Sequence, residues 1–590
     1  MSGARWIEQA VPSVELIRDI MGAGNCSPLL ARLLALRGIA PAEVTGFLNP
    51  GFSDIKPPEA FSAMASAVDL IMDAVEQKKQ IAIYGDYDVD GITSIAILSK
   101  IFSLIGARHQ FYIPHRLDEG YGLQCAAVDQ LADQGVNLLI TVDCGVTATD
   151  AVGRAKARGM SVIVTDHHQL SGLPAEADVI IHPQVAADAA VRHLCGAGIA
   201  LKLAWAVARR FCQSDRVTDA FRAALMESTA LAALGTIADV ASLTGDNRIT
   251  VKYGLKALRQ ISNPGLAALA RVANRVGASA AVNDEYIGFS LAPRLNAAGR
   301  MGHAREALEL LMTLDMHAAD ALAQQLDKFN RQRQETERKI VDHAEEMVLA
   351  MAAVPPCIIL FHESWHAGVV GIVASRLVDR FARPVFILRR EGNTLSGSAR
   401  GLPGFDVHAA IEKARPWIIS GGGHAAAGGV KLAVDNFEPF SRVIGEYAAE
   451  VMPAGGFIKS ISVDAMLGAG DISGDLMRDI EKLAPFGAGN PRPKFILAGA
   501  VIDAPPHRMG VNGRTLGLRL RTGGRLVEAV GFGLGLAGAD LRKGMTLDTV
   551  VEFRPAQESR YHRPEFRLLD FSVVSCRSAA ESHAAAVTTA

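Results

Sequence analysis

The sequence predicts an α/β protein built from a doubly wound parallel sheet, a long helix leading into a second α/β unit, and a small β-barrel near the C-terminal end. Three observations carry this. Between residues 80 and 240, short β-branched apolar runs alternate with helical stretches; one unbroken helical pattern spans residues 316–353; beyond Pro453 the pattern changes to strand-length segments separated by turn residues. A chain of 590 residues also exceeds what one core usually serves, since domains hold roughly 100–200 residues each, so several domains are expected.

Residues 81–84, 138–142, 161–165 and 179–181 are almost continuously apolar, as strands buried on both faces must be. The helical segments 91–104 and 147–158 between them are long enough for right-handed crossovers. Ligands of such a sheet bind beyond the carboxyl ends of its strands, so the residues there are the first candidates for function. The sheet with its helices is placed at residues 80–315, behind an N-terminal helical extension of residues 1–79. The helix at 316–353 is apolar at Leu322, Leu326 and Phe329, then polar on all sides through residues 330–339, the pattern of a solvated connection between domains. A second α/β unit is expected at 354–453, with strand-like segments at 357–361 and 384–388, a helix after Gly368, and a glycine cluster at Gly421, Gly422 and Gly423. Segments 494–502, 514–520, 526–532, 547–553 and 565–574 suit a barrel of the OB type within residues 454–576. The remainder, 577–590, reads as a disordered tail.

With 49% hydrophobic and 21% charged residues, the composition is that of an ordinary globular protein, and no stretch supplies the run of about 18 apolar residues that a membrane span needs. The opening residues carry both charge signs and no apolar core of a signal peptide, so a cytoplasmic protein without a membrane partner is expected. Seven scattered cysteines without a CxxC pair argue against a disulfide framework or a thiolate zinc site. The net charge of −2 excludes a global basic footprint, so nucleic-acid binding would have to come from a local groove.

The first three strands run into metal-ligand chemistry. Residues 81–84 lead into Gly85-Asp86-Tyr87-Asp88-Val89-Asp90-Gly91, 138–142 into Asp143-Cys144-Gly145, and 161–165 into Asp166-His167-His168; Asp239 closes a further apolar segment. Carboxylates gathered at one sheet edge repel one another and stay ionised together only if cations neutralise them. Carboxylate oxygens with one or two imidazoles suit Mn²⁺ or Mg²⁺ better than zinc, and two ions sharing a bridging carboxylate fit this inventory. Asp86, Asp88, Asp90 and Gly91 also match the first half of a calcium-binding EF-hand loop. Its twelfth position, however, is Ile97 rather than Glu, and a strand precedes it. A solvated acidic turn would explain one Asp-rich loop but not three clusters at successive strand ends.

Asp166-His167-His168 resembles the signature of the DHH phosphoesterase family, and the segment 85–91 with Asp143 and Asp239 is similar to the family's other metal motifs. Residues 194–205, 291–302, 365–376 and 421–429 resemble stretches of its single-stranded-DNA exonuclease branch, in family order, so the likeness spans residues 80–574. The resemblance implies a DHH catalytic domain, a DHHA1 domain in the second α/β unit, and 5′ to 3′ degradation of single-stranded DNA to mononucleotides in repair and recombination. It also implies that Asp88 and Asp90 hold different ions, that Asp143 bridges them, that His167 and Asp239 complete the second site, and that Asp86 and His168 lie among or beside the ligands. Which of the two histidines binds metal and which donates to phosphate stays open. No ligand position is missing, whereas an inactivated relative, such as the DHH-type subunit of the eukaryotic replicative helicase, would have lost some. Attack by hydroxide without a covalent intermediate is expected, with Ser94 and Cys144 as structural neighbours rather than nucleophiles.

Phosphate contacts are sought among basic residues with small neighbours: Arg116, Arg294 and Arg300 around Asn296, and Ser398 with Arg400. An arginine taken alone is more often a surface ion-pair partner; the resemblance singles out Arg116, Arg300, Ser398 and Arg400 as a pocket for the 5′ end. His424, in the glycine motif 421–429, resembles a substrate-binding residue of the DHHA1 domain, where absent side chains would let main-chain N–H groups approach a phosphate or base. Between Arg492 and Arg525 stand seven basic residues (Arg492, Lys494, Arg508, Arg514, Arg519, Arg521 and Arg525) opposed only by Asp503, which on a barrel face would track a phosphate backbone. The partners implied are single-stranded DNA, a single-strand-binding protein and a helicase, with the chain acting as a monomer. Smaller DHH relatives that trim short RNA, hydrolyse cyclic dinucleotides or cleave pyrophosphate are competing readings, as is a binding protein with a vestigial metal site.

Overall fold

The computed structural model describes residues 4–116, 118–170, 174–260, 263–273, 282–468, 470–510, 513–554 and 565–574. The expected tail at 577–590 and Cys576 lie outside them. The chain divides into two compact units, residues 52–457 and a second unit that joins the first 51 residues to those from 458 onward.

In the unit 52–457, five parallel strands run in the order His109–Tyr112, Gln80–Gly85, Val136–Val142, Ser161–Thr165, Val179–Ile181. Period-two alternation divides each strand between two cores. Ile81, Ile83, Leu138, Ile140 and Ile163 face one side, while Ala82, Tyr84, Leu139, Val162 and Val164 face the other. On the first side lie the helices Val89–Leu104, Gly196–Cys212 and Asp219–Ala238; on the second lie Cys125–Asp133 and Thr149–Ala157. The strand His109–Tyr112 is not among the sequence-derived strands, because the polar residues His109 and Gln110 leave it without an apolar run.

The long helix forms as Met316–Leu349, 34 residues. Its middle departs from the expected all-round solvation, since Asp327, Asn330 and Glu337 are buried. Asp327 accepts from Arg294 Nε at 3.0 Å, and Glu337 accepts from Arg333 Nη1 at 2.9 Å and Arg376 Nε at 3.1 Å, so ion pairs replace water along that stripe. The helix leads into a five-stranded mixed sheet, ordered Ser420–Gly423, Ala427–Ala433, Thr394–Arg400, Val385–Glu391, Ile358–His362.

In the other unit, Lys494–Ile502, Thr546–Arg554, Glu565–Val573, Arg525–Phe532 and Thr515–Thr522 pair in that order, and Val501↔Arg521 with Ile502↔Leu520 bring the last strand back to the first. The result is the closed five-strand barrel. The N-terminal segment packs here: strand Arg5–Glu8 pairs in parallel with Ser460–Val463, and Ile20, Leu30, Leu33 and Leu34 of two N-terminal helices share a core with Phe495, Leu518 and Phe566 of the barrel.

Candidate metal centre and phosphate pocket

The strand order places a topological switch between Gln80–Gly85 and Val136–Val142. From the first the chain crosses outward to His109–Tyr112, then returns to build the sheet on the other side. A crevice opens where the crossovers diverge. Asp86 and Asp143 follow directly on these two strands and are buried at 4% and 2% exposure.

Main-chain groups fix the carboxylates before any ligand arrives. Asp88 caps the helix Val89–Leu104, its Oδ1 accepting from the N–H groups of Asp90 at 3.0 Å and Gly91 at 3.2 Å. Asp90 accepts from Gly196 N at 2.7 Å and Ala197 N at 2.8 Å, at the first turn of the helix Gly196–Cys212. The glycines make room: a Cβ on Gly91 would stand 2.4 Å from Asp86 O, and one on Gly196 would stand 2.7 Å from Asp143 Cβ. Asp143 itself has φ +62, a left-handed conformation unusual for a non-glycine residue and of the kind that costs about 1–3 kcal/mol and collects at functional sites.

Asp166 organises the histidines. Its Oδ2 accepts from Val146 N at 2.9 Å, and its Oδ1 accepts from His167 N at 2.7 Å and His168 N at 3.1 Å and lies 2.8 Å from His168 Nδ1. Burial pushes Asp166 upward, but these bonds and the His168 charge outweigh it and bring its pKa down to about 2. Burial likewise depresses His168, and Asp166 more than restores it, to about 8. His167 Nε2 points instead among the carboxylates, 3.0 Å from Asp143 Oδ1, 3.6 Å from Asp90 Oδ2 and 3.9 Å from Asp239 Oδ2. Burial lowers its pKa.

Three overlapping groups have ligand atoms within 4.8 Å of one another: Asp86, Asp88 and Asp143; Asp90, His167 and Asp239; and Asp143, His167 and His168. The metal-ligand candidates Asp86, Asp88, Asp90, Asp143, His167, His168 and Asp239 therefore converge. Burial, then the neighbouring carboxylates, raise the pKa of Asp143 well above the ordinary range; burial and Asp88 do the same to Asp86, and burial with Asp90 and Asp88 lifts Asp239 to about 8. Asp86 Oδ1 is buried without a hydrogen-bond partner among the described residues. Fixed carboxylates of this kind fit hard divalent cations, which would satisfy the orphaned oxygen and remove the repulsion together.

Facing this acidic centre is a cluster of cations. Arg116 lies over the Tyr87 ring, its guanidinium carbon 4.5 Å from the centroid. Arg300 is held by Gly368 O at 2.8 Å, and burial, with Arg116 and Arg333 nearby, lowers its pKa to about 9; burial and Arg116 lower that of Arg400. A Cβ on Gly371, in the first turn of the helix Val370–Phe381, would meet Arg400 Nη2 at 3.1 Å and Ser398 Oγ at 3.2 Å, so the missing side chain keeps that space open. His424 occupies the turn of the hairpin Ser420–Gly423 to Ala427–Ala433, with Nδ1 3.0 Å from Gln169 Oε1. Gly423 serves close approach within this hairpin, where a Cβ would fall 2.3 Å from Ala427 O, and Gly428 lets the helix Val407–Lys413 pack on it, where a Cβ would fall 2.7 Å from Ile411 Cδ1.

Sequence reasoning gave no role to Asp166, Tyr121, Gln169 or Asn296. Tyr121 Oη lies 2.9 Å from His168 Nδ1, and Asn296 Oδ1 accepts from Val89 N at 3.2 Å, tying the segment of Arg300 to the first turn of the Asp88-capped helix. The only signal for Asp166 was its place ahead of two histidines, and for Asn296 its place between two arginines. Ser94 Oγ donates to Asp90 O at 2.7 Å, and the Cys144 thiol is fully buried with its pKa pushed far up, so neither is poised as a nucleophile.

In the barrel unit, the expected basic track is smaller than the sequence suggested. Arg492 is buried with its guanidinium carbon 4.4 Å from the Phe486 centroid, Arg525 donates to Ile472 O, and Arg519 and Arg521 both pair with Asp503. Arg508 and Arg514 are exposed.

Known proteins share this organisation. The family model for the DHH family, N-terminal domain, matches residues 80–236, the DHHA1 domain matches 352–450, and the RecJ OB domain matches 463–570. The chain is 33% identical over 576 residues to the single-stranded-DNA-specific exonuclease RecJ of Bacillus subtilis (strain 168), spanning 97% of this chain and 71% of that protein. It is 33% identical over 483 residues to the RecJ exonuclease of Escherichia coli (strain K12), spanning 79% and 83% of the two chains. The crystal structure of RecJ in complex with Mn²⁺ from Thermus thermophilus matches with a TM-score of 0.81 at 29% identity, covering 97% of this chain and 80% of that one, and the Mg²⁺ complex from the same organism matches with a TM-score of 0.75.

Proposed function

This chain belongs to the RecJ family, and on that premise we propose that it is a metal-dependent exodeoxyribonuclease that hydrolyses single-stranded DNA from the 5′ end, releasing mononucleotides with two ions of Mn²⁺ or Mg²⁺. The observation that carries the proposal is the meeting of three overlapping ligand groups with a cluster of arginines from separate segments.

Asp86 and Asp88 would hold one ion, Asp90, His167 and Asp239 the other, and Asp143 both. When bound, the two ions lower the pKa of water and offset charge developing on the phosphate. The chain's own groups do the rest. Asp166 fixes the orientation of His168 and raises its pKa, which favours a donor role toward a phosphate oxygen. Arg116, Arg300, Ser398 and Arg400 form a pocket whose charge suits a terminal phosphate better than an internal one, which would make cleavage start from an end. His424 would contact the strand from the facing sheet.

The converging ligand groups favour this reading over a binding protein with a vestigial metal site, and the exposed barrel cations Arg508 and Arg514 favour it over a pyrophosphatase. A role in DNA repair and recombination, a cytoplasmic location, action as a monomer, and contacts with a single-strand-binding protein and a helicase are part of the same proposal. Among the described residues no helix is long and apolar enough to cross a membrane. Digestion of 5′-labelled and 3′-labelled single strands, with and without Mn²⁺, tests the proposal. Immediate release of labelled mononucleotide from the 5′-labelled strand alone, abolished by chelation, is expected; release from the 3′ label first would reverse the polarity.

A further inference from the structure

Arg116 lies in the loop that leaves the edge strand His109–Tyr112, and a long side chain on a loop gives a poor phosphate contact unless the loop itself is held. Here one carboxylate holds it. Glu119 Oε1 accepts from the main-chain N–H of His115 at 2.6 Å, and Oε2 accepts from the Tyr112 hydroxyl at 2.7 Å. The main chain answers in the opposite direction, with Glu119 N donating to His115 O at 2.9 Å. The base of the loop is thus closed from both sides, with Arg116 inside the closure.

The anchor extends into the sheet. The Tyr112 ring stacks on Tyr84 at 5.3 Å and 8°, and Tyr84 is the fully buried penultimate residue of the strand that delivers Asp86. The Tyr84 hydroxyl donates to Gly122 O at 2.8 Å, pinning the far end of the loop beside Tyr121. A path of stacking and hydrogen bonds therefore runs from the strand bearing the metal ligands to the main chain beside Arg116. Asp118, which pairs with His115 Nδ1 at 2.6 Å, is 78% exposed at its side chain and adds little to this brace.

We infer that Glu119 is a positioning residue that sets the preference for a 5′-phosphorylated end by fixing the Arg116 loop relative to the metal ligands. The inference rests on the reading of Arg116 as part of the 5′-phosphate pocket. Glu119 touches neither the reacting atoms nor the metal ligands, so its effect should be read in end preference rather than in chemistry alone.

The test compares kcat/KM on 5′-phosphoryl and 5′-hydroxyl single strands for the unsubstituted protein and for Glu119→Ala, Glu119→Gln, Tyr112→Phe, Arg116→Ala and the double variant Arg116→Ala/Glu119→Ala. Glu119→Ala should lower the phosphoryl-to-hydroxyl ratio by about ten-fold, the size of one charge-assisted contact. Glutamine keeps a carbonyl to accept the His115 N–H, and Tyr112→Phe removes only the second bond, so each should lose a smaller part of the ratio. Both also keep the inference testable should the alanine variant fold poorly. The double variant should be no worse in ratio than Arg116→Ala. An equal loss on both strands, or a double variant in which the two losses add, would show that Glu119 only supports the fold and would overturn the inference. If Arg116→Ala itself leaves the ratio unchanged, the pocket reading falls and the inference falls with it; if Arg116→Ala lowers the ratio and none of the Glu119 or Tyr112 variants does, the inference alone falls.

Discussion

The acidic centre and the arginine cluster are built from opposite charges and by opposite means. Asp88, Asp90 and Asp166 are held by main-chain N–H groups at strand ends and helix starts, and burial leaves several of the acids near them raised in pKa. The arginines reach their cluster on long side chains from the loop after His109–Tyr112, the helix Ala292–Met301 and the strand Thr394–Arg400, with one carbonyl each holding Arg300 and Arg400. Each cluster is incomplete in charge without a ligand of the other sign. The difference lies in precision: short side chains on fixed backbone suit the close geometry of two ions, and long ones suit a phosphate that arrives on a flexible strand.

The comparison breaks most sharply at Asp143, which belongs to two of the three ligand groups. Asp143→Ala should cut hydrolysis on the order of a thousand-fold or more, the several kcal/mol that two-ion catalysis supplies at about 1.4 kcal/mol per ten-fold. Its fold should persist, because removing one buried carboxylate relieves repulsion from Asp90, Asp88 and Asp86. Near-normal turnover of the purified variant in Mn²⁺ would remove Asp143 from the bridging position.

Alanine at Arg300 or Arg400 should act more mildly, weakening kcat/KM on 5′-phosphorylated strands about ten-fold to a hundred-fold, as expected for a charge-assisted contact of roughly 1.5–3 kcal/mol. The loss on 5′-hydroxyl strands should be smaller. Equal losses would mean that these residues grip the backbone at large, and the two clusters would no longer divide the work between chemistry and end recognition.

Metal removal exposes the cost of the acidic cluster through pH. Asp239, raised from 3.8 to about 8, binds a proton more tightly folded than unfolded, so its contribution to stability falls as pH rises through that window. His168, raised from 6.5 to about 8, likewise contributes below the lower value and loses that contribution above the upper one. In chelator, Tm should therefore decline from about pH 5 to 8, and the rise in Tm on adding Mn²⁺ should grow over the same range, because protons and the metal compete for the same oxygens. A metal-induced shift in Tm that stays constant with pH would mean that these carboxylates are not what the ion relieves.

The smallest effect belongs to the barrel. Replacing exposed Arg508 and Arg514 by alanine should leave cleavage of saturating DNA intact while making the logarithmic salt dependence of binding shallower by about 0.7 for each phosphate no longer neutralised. An unchanged slope would place the strand elsewhere.

By itself the sequence determined the parallel sheet and the acidic edge. Apolar runs followed at once by Asp or His are contiguous signals, and a parallel sheet brings all its carboxyl ends to one edge whatever the helices do, so Asp86, Asp143 and His167 had to become neighbours. Tertiary structure decided what depends on contacts distant in sequence. It buried Arg492 over Phe486 and gave Arg519 and Arg521 to Asp503, because a cation's partner is chosen by the fold and not by local composition. It packed residues 4–51 against the barrel, through apolar helix faces whose partners lie more than 400 residues away, and added a polar tie in the Ser27 hydroxyl donating to Asp479, 452 residues along the chain. It also set Arg294 and Arg376 against the long helix's polar middle, where the sequence showed only charge and could not show what that charge would face.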